Sequence, residues 1–360
     1  MLNKVLIATG GTGGHIYPAL SVARKIMELY PSCRVVFAGG LYGSEKDIIP
    51  EAGFEFKAFP AKGVLGKGIK SLGSVWWVTR SLAKSYILLR SLRPDVVVGF
   101  GGYAGFIPVL TARMMKIPTA IHEQNSLPGM TNRVLGRKVK KVMLSYEDIK
   151  NFFPPEKVIC TGNPVRTELL EHQYASPGMH RPGKRLLVLG GSQGASAINS
   201  AILERLDELK AMEVKIWHQT GERDFEKVNE VYQDKYPEAR VDAYIQDMAG
   251  AYDFADLILS RAGASTISEI CVAGKACIFI PFPHATHDHQ MVNARYLEEA
   301  GAAMVLDQGY LDQVNLARVI TDLLAMPEKI RDMGRAAAKI SRPDAADRIV
   351  QELVNLKTGN

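Results

Sequence analysis

The sequence predicts an α/β protein made of two similar halves, each built around a parallel sheet. Three observations carry that prediction. Short apolar runs of strand length alternate with helical stretches, the signature of β-α units. Nearly every such run ends in glycine or small polar residues on its carboxyl side, where open α/β sheets bind ligands. The pattern pauses once in the middle of the chain and then restarts. At 360 residues the chain is too long for one ordinary domain and fits two of about 150–180 residues.

The elements follow in order. Lys4-Val-Leu-Ile-Ala8 reads as a buried strand, Thr9 to His15 as a glycine loop, and Tyr17 onward as a helix. Val35-Val-Phe-Ala38 is the next strand and ends in Gly39-Gly40. Asp95-Val-Val-Val-Gly99 leads into Gly101-Gly102-Tyr103-Ala104-Gly105, and Pro118 to His122 ends in Glu123-Gln124-Asn125. The pause comes near Thr161-Gly162-Asn163-Pro164-Val165-Arg166, and His172 to Lys184 is polar enough for a connector. Arg185 to Ser196 then repeats the first strand and its glycine loop, as Asp256 to Gly263 repeats Asp95 and its loop. This duplication predicts two halves whose loop edges face a common cleft. After Leu257-Ile-Leu259, Ser265 or Thr266 would cap a helix, with Thr266-x-x-Glu269 at capping-box spacing. Ser341-Arg-Pro343-Asp344 opens a last helix that runs to about Leu356.

Composition bounds the function. Hydrophobic content of 47% and charged content of 23% describe a soluble globular protein. A net charge of +6 favours an anionic partner. Cys33, Cys160, Cys271 and Cys277 are scattered, which fits reduced thiols in a cytoplasm rather than disulfides or zinc. The N-terminus enters a strand directly and shows no signal-peptide pattern, and no apolar run is long enough to span a bilayer.

The motifs narrow it further. Gly10-Gly-Thr-Gly-Gly-His15 and Gly190-Gly-Ser-Gln-Gly194 let backbone amides approach a phosphate. The helix start after Gly263 adds a partial positive charge suited to an anion. The dinucleotide fingerprint fails, because the first loop lacks its third glycine and the second strand ends in Gly39 rather than an acid. The ATP P-loop pattern is absent. His284-Ala-Thr-His287-Asp288-His289 invites a metal, but neighbours in one loop seldom converge without a further ligand; no metal is expected, and Asp288 is read as a cap for the next helix. No Asp-x-Asp pair occurs, which disfavours a magnesium-dependent sugar-nucleotide enzyme.

On the stretch from Gly63 to Arg90, Leu72, Trp76, Thr79, Ala83, Tyr86 and Leu89 form one helical stripe read as core. Trp77 and Leu88 fall on another face near Arg80 and Lys84, and Val64 and Leu65 lie beside Lys67 and Lys70, a mixture suited either to an anionic membrane surface or to an ordinary sheet-covering helix. Nucleic acid fits less well, since no aromatic series accompanies the charges. His15, at the head of a helix in a glycine loop, is placed to act as a base.

Taken in order, the loops at 10–15, 101–105, 122–125, 162–166, 190–194, 261–269 and 281–290 resemble the bacterial MurG family of N-acetylglucosaminyltransferases over nearly the whole chain. The resemblance implies a GT-B fold: two Rossmann-like parallel-sheet domains facing a central cleft, spanning 1–162 and 163–342, with a C-terminal helix at 343–357 returning to the first. It implies UDP-N-acetylglucosamine as donor and a lipid-linked muramyl acceptor, lipid I, met at the cytoplasmic face of the cell membrane. Glu269 would take the ribose hydroxyls and Ile245 the uracil, while Ala264, Ser265, Thr266, Ile267 and Ser268 lie near the diphosphate with Ser192 and Arg166. Gln290, or His289 beside it, and Asn125 would meet the sugar, with Thr12, Gly13 and Gly14 closing from the other side.

The chemistry is then an inverting single displacement. The acceptor hydroxyl loses a proton to His15, with Glu123 as second choice, and UDP departs against helix-start amides and Arg166, with no cofactor. The alternatives are a transferase to another lipid such as diacylglycerol, a UDP-N-acetylglucosamine epimerase, and a non-catalytic nucleotide-sugar binder.

Overall fold

The structure is a computed structural model. It describes all residues except 61–71, 149, 173–182, 192–193, 284, 286–287 and 360, and of residues 72–77 it describes the backbone alone. The chain forms two compact units, Met1–Arg166 with Arg342–Asn360, and Thr167–Ser341. Arg166, expected in the second domain, thus belongs to the first.

The first unit holds seven parallel strands: β1 (Lys4–Ala8), β2 (Arg34–Gly40), β3 (Glu55–Phe59), β4 (Val96–Gly99), β5 (Thr119–Glu123), β6 (Lys141–Leu144) and β7 (Val158–Cys160), in the order β3-β2-β1-β4-β5-β6-β7. Alternation along each strand builds a core on both faces. Val5, Ile7, Val96 and Val98 pack with Ile16, Ala23 and Ile26 of the helix Gly13–Leu29 and with Ile349 and Leu353 of the last helix. Leu6, Ala8 and Val97 pack on the other side with Leu89, Val109 and Leu135. The last helix, Ala345–Thr358, is tied down by Lys357, whose Nζ lies 2.9 Å from the Asp95 carboxylate. That carboxylate also accepts the Asn3 and Lys4 N–H groups. Burial opposes its charge, yet these donors hold its pKa below the ordinary value. Pro343 precedes the N-cap, Asp344, rather than opening the first turn.

The second unit holds β8 (Arg185–Leu189), β9 (Lys215–Gln219), β10 (Arg240–Asp242), β11 (Leu257–Ser260), β12 (Ala276–Phe279) and β13 (Ala303–Val305), all parallel, in the order β10-β9-β8-β11-β12-β13. Both orders reverse direction beside the first strand of the unit, between β1 and β4 and between β8 and β11. Those are the switch points where Rossmann-type sheets open a crevice at their carboxyl ends.

The helix Leu72–Leu92 corrects one expectation. Among its described side chains Ser81, Ser85, Leu89 and Leu92 are buried, while Ala83 and Tyr86 face solvent and Leu88 is half-buried against the core. Leu89 lies in the core as expected, but Thr79, Ala83 and Tyr86 do not, because the small serines Ser81 and Ser85 take the inward positions beside them. The side chains of Trp76 and Trp77, and residues Val64, Leu65, Lys67 and Lys70, lie outside the described residues.

Candidate functional site

In the first unit the β1 loop crosses the switch point. Gly11 adopts φ +101°, Thr12 caps the helix Gly13–Leu29 in extended conformation, and no side chain caps that helix. Glu45 holds the loop in place: its buried carboxylate accepts the N–H of Gly11 at 3.2 Å and of Gly40 at 2.8 Å, joining β1's loop to the end of β2. Gly10 must be glycine for the same reason, since a Cβ there would lie 2.8 Å from both Glu45 Oε1 and Ala104 Cβ.

His15, one turn into that helix, is half-buried, and its Nδ1 lies 2.9 Å from Gln124 Oε1. The loop after β4 leaves room for the ring. Gly101, at φ +91°, would otherwise place a Cβ 3.0 Å from His15 Cε1. Thus the two loops flanking the switch point meet at His15.

β5 ends in three buried polar side chains, His122, Glu123 and Gln124. The Glu123 carboxylate accepts four N–H groups: Asn125 N and Nδ2 on one oxygen, Gly129 N and Asn132 Nδ2 on the other, at 2.8–3.3 Å. So many donors make Glu123 the brace of the loop from Asn125 to Gly129, and it is buried where His15 is half-exposed. His122 is fully buried and burial lowers its pKa to about 4, so it is neutral near pH 7. Arg166 lies with its guanidinium 5.0 Å from the centre of the Tyr17 ring, beside the start of the same helix.

In the second unit the corresponding edge includes a helix start. The helix Ala264–Ala273 follows β11 with Gly263 as N-cap and no side-chain cap. Its first turn therefore presents amides and the positive end of the helix dipole. The expected capping box does not form: Thr266 and Glu269 both lie inside the helix. Glu269 instead points to Tyr252, whose hydroxyl donates to its Oε2 at 2.8 Å. The carboxylate is thus buried and oriented from a neighbouring helix. Ala264 and Ile267 bury their side chains, and the Ser268 hydroxyl donates back to the Ala264 carbonyl. Ile245 is buried too, its N–H held by Gln219 Oε1 at 3.1 Å.

The loop after β12 is organised by Arg261. Its guanidinium donates to the Ile280 and Pro281 carbonyls and to Gln308 Oε1. Burial lowers its pKa to about 10, which leaves it charged at neutral pH. Gln290 Oε1 accepts the Phe282 N–H at 3.0 Å, so its amide nitrogen faces away from that bond. Asp288 takes the N-cap position of the helix His289–Glu299 at φ +56°, yet its side chain makes no capping bond. Ser192, His284 and His287 lie outside the described residues.

Comparison with known proteins identifies this arrangement. Residues 5–144 match the glycosyltransferase family 28 N-terminal domain and residues 185–349 its C-terminal domain. The chain is 45% identical over 360 residues to a protein of Nitratidesulfovibrio vulgaris strain Hildenborough, covering 99% of this chain and 98% of that one. That relative is named UDP-N-acetylglucosamine–N-acetylmuramyl-(pentapeptide) pyrophosphoryl-undecaprenol N-acetylglucosamine transferase. A Solidesulfovibrio magneticus protein of the same name is 47% identical over 363 residues, covering 98% of each chain. The crystal structure of Acinetobacter baumannii MurG superposes with TM-score 0.79 at 30% identity over 98% of this chain and 99% of that one. The chain belongs to the MurG family of glycosyltransferases. It has the GT-B fold, with a Rossmann-like domain in each unit. A Neisseria meningitidis UDP-GlcNAc 2-epimerase shares that fold at TM-score 0.67, with 17% identity over 98% of this chain and 100% of that one.

In the first unit of this MurG-family chain the structure brings Thr12, Gly13, Gly14 and His15 together at the N-cap and first turn of one helix beside Gln124, and Asn125 onto the loop braced by Glu123. It sets Ala264 to Ser268 and Glu269 on one helix of the second unit. Sequence reasoning missed Gln124, Glu45, Gly101, Asn132 and Tyr252. Gln124 carried a local signal, as a polar residue following a strand; the others act across 5 to 86 residues of chain, from Glu45–Gly40 to Gly101–His15.

Proposed function

We propose that the protein transfers N-acetylglucosamine from UDP-N-acetylglucosamine to the C4 hydroxyl of undecaprenyl-pyrophosphoryl-MurNAc-pentapeptide, lipid I, with inversion, forming lipid II for peptidoglycan. The observation that carries this reading is near full-length identity to transferases named for that reaction, joined to an uncapped helix start with a braced carboxylate one turn in.

The chemistry assigns separate tasks to the two units. In the second, Glu269 binds the ribose hydroxyls, Ile245 lies by the uracil, and the amides from Ala264 to Ser268, with Ser192, hold the diphosphate; Gln290 takes the sugar. In the first, Asn125, Thr12, Gly13 and Gly14 serve the sugar and acceptor, and Arg166 offsets charge on the departing UDP. The acceptor O4 forms its bond to C1 as the C1–O bond to UDP breaks. The O4 proton passes to His15 Nε2, and Glu123 shapes the loop rather than taking the proton. Helix-start amides and a guanidinium stabilise the growing negative charge without a metal ion.

The enzyme works as a peripheral protein at the cytoplasmic membrane face. Among the described residues no helix is long and apolar enough to cross a membrane. The helix Leu72–Leu92 supports docking: Ile87 is 66% and Tyr86 45% exposed, beside exposed Arg80, Lys84 and Arg90.

A transfer assay with UDP-N-acetylglucosamine and a lipid I analogue tests the whole reading. Lipid II formation that persists in EDTA is expected, with no turnover of donor alone. Loss of activity in EDTA overturns the metal-free mechanism, and product from donor alone favours an epimerase. With acceptor embedded in anionic vesicles, Ile87→Glu should lower the rate but leave it unchanged with a water-soluble acceptor; equal rates in both place the membrane contact elsewhere.

A further inference from the structure

A hydrogen-bond chain runs behind His15, and its directions can be worked out from one end. His122 Nε2 lies 2.9 Å from the Gly162 carbonyl oxygen. A carbonyl only accepts, so neutral His122 carries its hydrogen on Nε2 and offers a lone pair at Nδ1. Gln124 Nε2 lies 3.1 Å from that Nδ1 and 3.1 Å from the Phe100 carbonyl oxygen. Both neighbours require a donor. The Gln124 amide nitrogen therefore faces them, and its oxygen faces His15 at 2.9 Å. Reversing the amide would set its oxygen against two acceptors. Since that oxygen only accepts, His15 Nδ1 must be the donor, and the lone pair of neutral His15 sits on Nε2.

We propose that Gln124 is a positioning residue for glycosyl transfer: it holds His15 in the Nδ1–H tautomer and so presents Nε2 as the proton acceptor. The inference rests on the reading of His15 as the base. Burial supports it, because Gln124 is 1% and His122 0% exposed, which shields the Gln124–His122 and Gln124–Phe100 bonds that fix the amide's orientation. The choice of an amide also has a consequence. A carboxylate at this position would fix the same tautomer but favour the protonated imidazole. A neutral amide orients the ring without adding a negative charge that would favour the imidazolium. Gly101 completes the setting by keeping the space against the ring open.

The test uses full-length protein with imidazole-¹⁵N histidine. The His15 signals, assigned by their disappearance in His15→Ala, should report the Nδ1–H tautomer in the wild type. This measurement needs no variant at Gln124 and stands even if one fails to fold. Gln124→Met, of similar size but with no amide, should give a mixture of tautomers and lower kcat about 10- to 100-fold, with the KM for UDP-N-acetylglucosamine within about twofold. Wild-type His15 in the Nε2–H form overturns the proposal, as does a folded Gln124→Met with unchanged kcat. If His15→Ala keeps full kcat while the wild type shows Nδ1–H, the bond is real but the base lies elsewhere, and the catalytic role of Gln124 falls with that reading.

Discussion

The carboxyl edges of the two sheets stand at equivalent switch points but are furnished differently. The first unit gathers titratable and amide side chains there: His15, Glu45, His122, Glu123 and Gln124, four of them buried and all linked to the loops by hydrogen bonds. Among the described residues, the second presents a helix start without a side-chain cap and a carboxylate, Glu269, braced by Tyr252, while Gln219, Arg261 and Gln290 bond mainly to loop backbone. The difference follows from the work proposed for each. Holding a diphosphate needs fixed dipoles that do not change state. Accepting a proton needs a side chain whose state is set by its neighbours. The same topology supplies both because its loops, rather than its strands, carry the chemistry.

The largest expected effect separates the two tasks. His15→Ala should lower kcat by about 10²- to 10⁴-fold, the usual contribution of a general base. UDP affinity, measured by calorimetry, should be unchanged; a parallel loss of UDP binding would erase the division of labour.

Acid stability comes next. Burial lowers the pKa of His122 to about 4 in the first unit and of His218 to about 3 in the second. Each therefore binds its proton more readily when unfolded. Their contribution is complete above an unfolded pKa near 6.5 and is lost as pH falls towards the folded values. Between pH 7 and pH 5 each should cost on the order of 2 kcal/mol in urea unfolding. His218, which bonds Tyr232 and Asn199 rather than the site, should be replaceable by Gln with less acid sensitivity and little change in kcat. A large kcat loss in that variant would mean that the second unit's core feeds the chemistry after all.

The smallest effect concerns Glu269. Tyr252→Phe removes a hydroxyl that orients the carboxylate, worth about 1 kcal/mol. The KM for the donor should rise about fivefold while kcat holds. An effect on kcat alone would argue that Glu269 is not a ribose ligand.

Much of the fold was legible in the sequence because its signals are local. Strand-length apolar runs such as Lys4 to Ala8 and Leu257 to Leu259, each followed by glycine, mark β-α turns wherever they fall. The loop motifs were specific enough in order to point to the family. What went astray was also local reasoning, applied where distant neighbours decide. Thr266 and Glu269 have capping-box spacing, yet the helix begins at Ala264 and Glu269 turns to Tyr252. The helix near Tyr86 buries Ser81 and Ser85, and the Ser81 hydroxyl donates to the Pro60 carbonyl 21 residues away.

By itself, then, the sequence determined the two parallel sheets, their glycine turns and the residue types at each turn, since backbone freedom and hydrophobic alternation act over a few residues. Only the tertiary structure decided which side chains are braced and which stay accessible: Glu123 filled with donors, His15 set against Gln124, Glu269 against Tyr252. Those states depend on hydrogen bonds between groups from 2 to 109 positions apart, and sheet order, rather than sequence spacing, brings the distant ones together.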